Sequence, residues 1–273
     1  MKKVYIGVGH GGKDPGCTGN GYKEKDLNLA IAKAVMATLT RHGVDVKISR
    51  TKDQDKELVD RIAECNAYKP DLALDIHNNA GGGDGAEVYY YHGGGTSKTL
   101  ATNVLTEITR IGQNSRGIKT KMGSGGQDYF GFIREISAPS IIVECAFVDN
   151  KTDVQIVATA AKQATMGDAI AKGILKTLGI AYKAATAAPA AKVLDKTGAK
   201  YGDNSVGVLA IKEMLLLAKK KGIHPKGMYE DTGFGGGTKA AVNYLLKAWG
   251  YAENGIAGVN FVKRLAAEIN KKA

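Results

Sequence analysis

Two histidines and a glutamate stand at or near the ends of short apolar segments. His10 follows the apolar residues 4–8 and precedes two glycines. His77 ends the segment DLALDIH, and Glu144 lies within SIIVECAF. A carboxylate among Ile and Val is costly to bury unless it is paired, protonated or close to a metal. Histidine and carboxylate side chains at one sheet edge match a hydrolytic zinc site.

His10 has three interpretations from its own surroundings. It could cap a strand end, or belong to a glycine-rich anion-binding loop, or bind a metal through a neutral imidazole. The glycine spacing of a dinucleotide-binding or P-loop fingerprint is missing, which disfavours the second interpretation. His77 likewise has the alternative of a strand-end turn residue.

A hydrolytic zinc site needs three protein ligands, one open position and a separate base. The spacing alone leaves the third ligand open. The candidates near the site are Asp14, Glu24, Asp26, Asp75 and Glu144. Glu24 lies in the segment KEKD, directly before the apolar pattern of the first predicted helix, where an acidic residue also suits the helix dipole.

Alternating strands and helices must position these groups. The predicted strands span residues 4–8, 44–50, 71–77, 86–91, 130–135 and 139–147. The predicted helices span residues 27–43, 57–69, 96–112 and 154–179. This alternation indicates an α/β fold with a mostly parallel sheet covered by helices. Ligands of such sheets bind at the carboxyl ends of the strands, where His10 and His77 stand.

The positive charge is concentrated at the end of the chain. Residues 181–273 carry 15 Lys and Arg against 7 Asp and Glu, which is +8 of the total net charge of +11. The segment AYKAATAAPAAK (181–192) has no periodic apolar face and is predicted to be a linker. Three helical patterns follow, at 206–222, 238–250 and 259–270. A basic all-α module predicts a polyanionic partner, such as nucleic acid, a membrane surface or a wall polymer.

The remaining composition excludes several classes of protein. No apolar run is long enough to span a membrane, and the N-terminal segment does not have the pattern of a signal peptide. Three widely spaced cysteines without a CxxC motif argue against a disulfide framework or a cysteine zinc site. The cysteine pattern therefore fits a chain that is made in a reducing compartment.

The segment GHGGKDPGCTGNGYKEKDLNLAIA resembles the opening of zinc-dependent N-acetylmuramoyl-L-alanine amidases, which are cell-wall lytic enzymes of bacteria and phages. Later segments follow the family order, namely ISRTKD, DRIAECNAYK, IHNNAGGG, FGFIREISAPSIIVE and VECAFVDN. The resemblance covers roughly residues 3–180. It implies a zinc amidase fold with one Zn²⁺, bound by His10, Glu24 and His77, and Glu144 as the catalytic glutamate.

The sequence departs from the family pattern at three places. VGHGG replaces the usual PGHGG, Asp75 replaces a serine two residues before His77, and Cys145 with Ala146 follows the glutamate. None of these changes removes a ligand. Asp75 adds an acid either near the zinc or on the other face of the sheet. Asn79 could orient His77, contact substrate or form a turn, and Arg134 is a candidate for substrate binding or a solvated charge.

The C-terminal segment GMYEDTGFGGGTKAAVNYLLKAWGYAENGIAG resembles a small three-helix peptidoglycan-binding domain. The matching positions are Asp231, Phe234, Gly235, Thr238, Ala241, Val242 and Gly255. Two positions that are usually glutamine are Lys212 and Leu246 here. The resemblance implies that the basic module binds peptidoglycan or an anionic wall polymer, since no nucleic-acid module is recognised.

These observations predict a catalytic domain at 1–180, a linker at 181–192 and a wall-binding domain at 193–273. The resemblance implies hydrolysis of the bond between N-acetylmuramic acid and L-alanine, most simply by a phage endolysin. Such a protein is expected to be synthesised in the cytoplasm of a bacterial host without a signal peptide and to act on the wall after release. The alternatives are a zinc peptidase that cuts within the stem peptide, a host autolysin or mother-cell lysis amidase, and a wall-binding protein without activity.

Overall fold

A computed structural model describes residues 1–184, 194–195, 197–204, 206–224, 226–227 and 233–271. The chain divides into two compact units, Met1–Lys183 and Ala184–Ala273. Most of the predicted linker, residues 185–192, lies outside the described residues, as does Asp231. No helix among the described residues is long and apolar enough to cross a membrane.

The first unit contains a six-stranded sheet. Its strands are β1 (Lys3–Val8), β4 (Asp45–Ile48), β5 (Leu72–Asn79), β6 (Ala86–Tyr90), β7 (Ser115–Lys119) and β8 (Ser140–Phe147). The strand order is β4-β1-β5-β8-β6-β7, and only the β6–β8 pair is antiparallel. The prediction of a mostly parallel sheet is therefore confirmed.

Helices cover both faces of this sheet. They are α1 (Glu24–Arg41), α2 (Leu58–Tyr68), α3 (Gly95–Arg110), α4 (Gly131–Arg134) and α5 (Ala160–Thr177), with a 3₁₀ helix at Asp153–Ile156. Apolar residues of α1, α3 and α5 pack on one face in the larger core, and residues of α2 and α4 pack on the other. In α1 the buried residues Leu27, Ile31, Val35 and Leu39 recur every fourth position, as a helix with one buried face requires.

The predicted elements differ from the structure at residues 131–134 and at residues 115–119. The strand predicted over 130–135 is wrong, because residues 131–134 form helix α4. Its apolar residues Phe132 and Ile133 are buried against Ile62 and Cys65 of α2 rather than in the sheet. Strand β7 was not predicted, since its sequence SRGIK is largely polar and partly exposed.

A two-stranded hairpin sets the start of α1. Strands β2 (Thr18–Gly19) and β3 (Tyr22–Lys23) pair antiparallel across Asn20 and Gly21. Asn20 has φ 50° and Gly21 has φ 83°, a left-handed pair typical of tight hairpin turns. The hairpin leads directly into Glu24, the first residue of α1, three residues earlier than the predicted helix start.

The second unit is helical. Its helices α6 (Val206–Lys220), α7 (Gly236–Ala248) and α8 (Val259–Lys271) match the three predicted patterns. Phe234, Leu245, Leu246, Phe261 and Leu265 are buried in one apolar core. Lys212 is also buried, and its Nζ donates to the carbonyl of Gly233 at 3.0 Å.

Candidate metal centre

His10 stands in a strained backbone position directly after β1. Its φ is 60°, in the left-handed region that a residue with a Cβ rarely adopts. Its Nε2 lies 3.2 Å from Oε2 of Glu24, and its Nδ1 lies 2.6 Å from Oδ2 of Asp14. Backbone strain of this kind is retained where the surroundings hold a functional side chain in place.

Glu24 is buried at the start of α1 and binds groups from three segments. Its Oε2 accepts the backbone N–H of Cys17 at 2.9 Å. Its Oε1 accepts the backbone N–H of Asn78 at 3.1 Å and the side-chain amide of Asn28 at 3.2 Å. These donors fix the carboxylate between the two histidines. Glu24 therefore has a more specific role than a favourable interaction with the helix dipole.

His77 lies near the end of β5, on the sheet face that carries α2 and α4. Its Nδ1 is 3.0 Å from Oε1 of Glu24, and its Nε2 is 3.3 Å from Oδ2 of Asp75. A Cβ added to Gly9 would lie 2.2 Å from the ring, so the glycine before His10 leaves the space that His77 fills. Any larger residue at position 9 would displace the imidazole.

The arrangement of His10, Glu24 and His77 fits a zinc ion. Their ligand atoms all lie within 4.8 Å of one another. Donors around tetrahedral zinc lie roughly 3.3 Å apart, close to the spacing of the carboxylate oxygens from the ring nitrogens here. Two imidazoles and one carboxylate also form a known catalytic zinc set. The outer ring nitrogens contact Asp14 and Asp75, as second carboxylates commonly do at zinc histidines.

The electrostatics of the cluster favour a cation at this point. Burial by itself would raise the pKa of Glu24, but His10 and His77 lower it far below its ordinary value. Burial opposes a charged ring at His77, yet Asp75 and Glu24 raise the pKa of His77 well above its ordinary value. The protein therefore concentrates negative charge around the ring nitrogens that face Glu24.

Glu144 lies beside His77, because the two residues are partners in the pairing of β5 with β8. Its Oε2 is buried and has no hydrogen-bond partner among the described residues. Burial raises the pKa of Glu144 to about 7, against an opposing effect of His77 and with further contributions from Glu24 and Glu87. A carboxyl with a pKa near neutrality can both accept and return a proton.

A second charged cluster lies on the other side of Glu144. Glu87 of β6 is the antiparallel partner of Glu144 in the sheet. Its Oε2 accepts Nε of Arg116 at 2.7 Å and Nζ of Lys119 at 2.6 Å. Asn79 donates its Nδ2 to Oε1 of Glu87 at 3.1 Å and accepts the backbone N–H of Ala80. Asn79 is thus tied to a turn and to Glu87, and its substrate contact stays a prediction.

The structure places Arg134 on α4 and does not bring it into the His10–Glu24–His77 group. Its Nη1 donates to the carbonyls of Asp128 and Tyr129, and its Nη2 contacts Glu135 at 2.7 Å. It lines a cleft with Gly95 and Ser140, at the beginnings of α3 and β8. Ser140 begins β8, whereas Glu144 lies four residues further along that strand. The substrate role of Arg134 also stays a prediction.

A different cleft adjoins the histidines. It is lined by His10, Asp14, Glu57, Leu58, Arg61 and His77. Two other residues lie outside this cleft. His42 is the C-cap residue of α1, and Cys145 is a fully buried member of the larger core. All three cysteines are free.

The family model for N-acetylmuramoyl-L-alanine amidase matches residues 4–176. The chain belongs to this amidase family. The match covers nearly all of the first unit, including every residue of the candidate metal centre. The amidase match ends before the helices α6, α7 and α8.

Named relatives agree with this assignment. The chain is 35% identical over 192 residues to the endolysin of Bacillus phage SPP1, covering 69% of this chain and 70% of that protein. It is 36% identical over 164 residues to the sporulation-specific N-acetylmuramoyl-L-alanine amidase of Bacillus subtilis, covering 59% of this chain and 62% of that protein.

Solved structures show the same amidase fold. N-acetylmuramoyl-L-alanine amidase AmiC2 of Nostoc punctiforme superposes with a TM-score of 0.59 at 34% identity, covering 65% of this chain and 97% of that chain. The catalytic domain of CwlV from Bacillus (Paenibacillus) polymyxa has a TM-score of 0.60 at 29% identity, covering 66% of this chain and all of that chain.

Sequence reasoning missed the partners that surround the centre. The Glu87 cluster was not predicted, although Arg116 and Lys119 stand close together in a segment otherwise poor in apolar residues. The ion pair of Arg61 with Asp75 was not predicted either. The sequence did contain a signal that Asp75 lies on the same sheet face as His77, because residues two apart on a strand share a face.

Proposed function

We propose that this amidase-family chain hydrolyses the amide bond between N-acetylmuramic acid and L-alanine in peptidoglycan. The observation that supports this function best is the grouping of His10, Glu24 and His77 beside the buried carboxyl of Glu144. His10, Glu24 and His77 would hold one Zn²⁺. When bound there, zinc polarises a water and the scissile carbonyl and stabilises the charge that develops on the carbonyl oxygen.

The protein side chains carry the proton transfers. Glu144 accepts the proton of the attacking water at its carboxylate and returns it to the leaving nitrogen. Its raised pKa suits both halves of this exchange, because the proton is held neither too weakly nor too tightly near neutral pH. Asn28 and the backbone N–H groups of Cys17 and Asn78 keep Glu24 in place throughout.

The identity of the products tests this reaction. Purified peptidoglycan is incubated with the protein, with and without a chelator, and the products are analysed by mass spectrometry. We expect chelator-sensitive release of stem peptides with free L-alanine amino termini and intact glycan strands. Cuts within the stem peptide would instead assign a zinc peptidase, and the absence of cleavage on several wall types would support a binding protein.

We further propose that residues 193–273 form a domain that attaches the enzyme to the bacterial wall, and that the whole chain acts as a lytic endolysin. The +8 charge of residues 181–273 and the pattern from Phe234 to Gly255 support attachment to an anionic wall. Phe234, Thr238, Ala241 and Val242 are buried, so these pattern positions build the domain core. A cleft beside them is lined by Tyr201, Asn204, Gly233, Phe234 and Gly235, among other residues.

A sedimentation experiment tests the wall attachment. Residues 184–273 are expressed alone and mixed with purified walls, with walls stripped of their phosphate polymers, or with DNA. We expect cosedimentation with intact walls and weaker retention at high salt, because exposed charges are screened by salt. Retention on DNA but not on walls would contradict the assignment.

A further inference from the structure

Asp75 is a buried acid to which the proposed reaction assigns no role. It lies on β5, two residues before His77, with a side chain only 2% exposed. Nη1 of Arg61 contacts both of its carboxylate oxygens, at 2.6 and 2.5 Å. The Arg61 side chain is itself 8% exposed, so the pair forms a buried salt bridge between α2 and the sheet. A buried charge pair of this kind is weak evidence for a stabilising role.

The contact between Asp75 and His77 determines which ring nitrogen carries the hydrogen. Oδ2 of Asp75 lies 3.3 Å from Nε2 of His77 and can only accept a hydrogen bond when it is ionised. With zinc bound, one ring nitrogen must give its lone pair to the metal, and the carboxylate of Asp75 then requires that Nε2 is the nitrogen that carries the hydrogen. Nδ1 then keeps its lone pair, and this nitrogen is the one that faces Glu24, at 3.0 Å.

The surroundings of Asp75 hold its carboxylate in place. A Cβ on Gly7 would lie 2.5 Å from Oδ1 of Asp75 and 2.9 Å from the Phe132 ring, so the glycine in β1 leaves room for this side chain. Asp14, the acid that contacts His10, is much more exposed to solvent than Asp75. Asp14 contacts Nδ1 of His10, but its side chain is 64% exposed to solvent. Asp75 is thus the more rigid of the two outer carboxylates.

We propose that Asp75, held by Arg61, is a positioning residue that orients His77 and strengthens metal binding through its Nδ1. This inference rests on the proposed zinc site of His10, Glu24 and His77. A carboxylate on the far nitrogen of a metal-binding histidine fixes the tautomer and the ring orientation, and it increases the basicity of the ligand. Arg61 supplies the countercharge that keeps Asp75 ionised in a buried position.

Metal affinity of the full chain tests the proposal directly. Zinc affinity is measured by competition with a chromophoric chelator for the wild type, Asp75→Asn and the double variant Arg61→Gln/Asp75→Asn. The double variant leaves neither partner charged, which protects the fold if the single change leaves Arg61 uncompensated. We expect both variants to bind zinc about 10- to 100-fold more weakly. The absorption spectrum of the Co²⁺ form should shift as well, because the ligand field at His77 changes.

Asp168→Asn is the matched control. Asp168 accepts hydrogen bonds from Thr38 and Tyr182 in the same unit, remote from the histidines, so this variant tests a general loss of stability. Its zinc affinity and Co²⁺ spectrum should equal those of the wild type. Unchanged affinity and spectrum in both Asp75 variants would overturn the positioning role alone. A wild-type chain that binds no zinc would instead overturn the proposed metal site.

Discussion

Glu144→Gln is expected to lower the rate of peptidoglycan hydrolysis by roughly two to four orders of magnitude, the usual contribution of a positioned acid–base group. Glutamine keeps the shape of the side chain but cannot accept and return a proton. The three candidate ligands lie on other segments, so the variant should still bind one zinc. The measurement is the initial rate of release of amino termini from purified walls, together with the zinc content of the same sample.

Glu107→Gln provides the comparison for this rate. Glu107 lies on α3, where it pairs with Arg110, and its loss removes a carboxylate without touching the metal centre. Its activity should remain within about twofold of the wild type, because Glu107 lies on α3 and is not part of the candidate metal centre. A Glu144→Gln enzyme with near-normal rates would mean that another group accepts the proton. Loss of zinc from Glu144→Gln would mean that Glu144 contributes to metal binding.

The strand pattern predicts that His77 and Glu144 both lie on strands of one mostly parallel sheet, but it does not predict that these strands are neighbours. Strand alternation places His10 just after β1 and His77 near the carboxyl end of β5, and in the structure β5 and β8 are neighbours. The alternation itself does not contain the strand order. The pairing of His77 with Glu144 therefore needed the family resemblance or the structure.

The proposed third ligand, Glu24, could not be identified from residue spacing. Five acids remained open from spacing, and Glu24 was singled out by resemblance alone. In the structure the β2–β3 hairpin returns the chain to the sheet edge, so that the first residue of α1 lies between the two histidines. That return depends on a two-residue turn and on contacts between distant segments, which a periodic pattern does not encode.

The strand predicted at the position of helix α4 was wrong for a related reason. The segment FGFIRE has alternating apolar residues over a length at which a strand and a short helix cannot be distinguished by period. Tertiary packing determines the conformation of this segment, since Phe132 fills the space over Gly7 and Asp75 beneath α2. Tertiary packing also explains one glycine in β1 and one glycine just after it. Gly7 and Gly9 leave space for Asp75 and His77, which lie about seventy residues later in the sequence.

The same Glu144→Gln change is expected to stabilise the metal-free protein above neutral pH. Burial raises the pKa of Glu144 from an ordinary value of 4.5 to about 7 in the folded chain. Between these two values the unfolded chain releases the proton while the folded chain keeps it, so Glu144 costs the wild type stability as pH rises through this window. Above pH 7 the cost is constant and amounts to at most about 3 kcal/mol. Glutamine is neutral at every pH and carries no such cost.

Thermal unfolding of chelator-treated wild type and variant, followed from pH 4 to 9, measures this cost. The difference in Tm should grow between about pH 4.5 and 7 and then level off, at roughly 6–12 °C for the full 3 kcal/mol in a unit of this size. A fixed penalty for burying the amide of glutamine would shift the difference in Tm by the same amount at every pH and would not change how that difference varies with pH. A difference that does not vary with pH would show that Glu144 ionises normally in the folded chain. The expected slope, together with the lost activity, would mean that the carboxyl is kept in a destabilising position because the reaction requires it there.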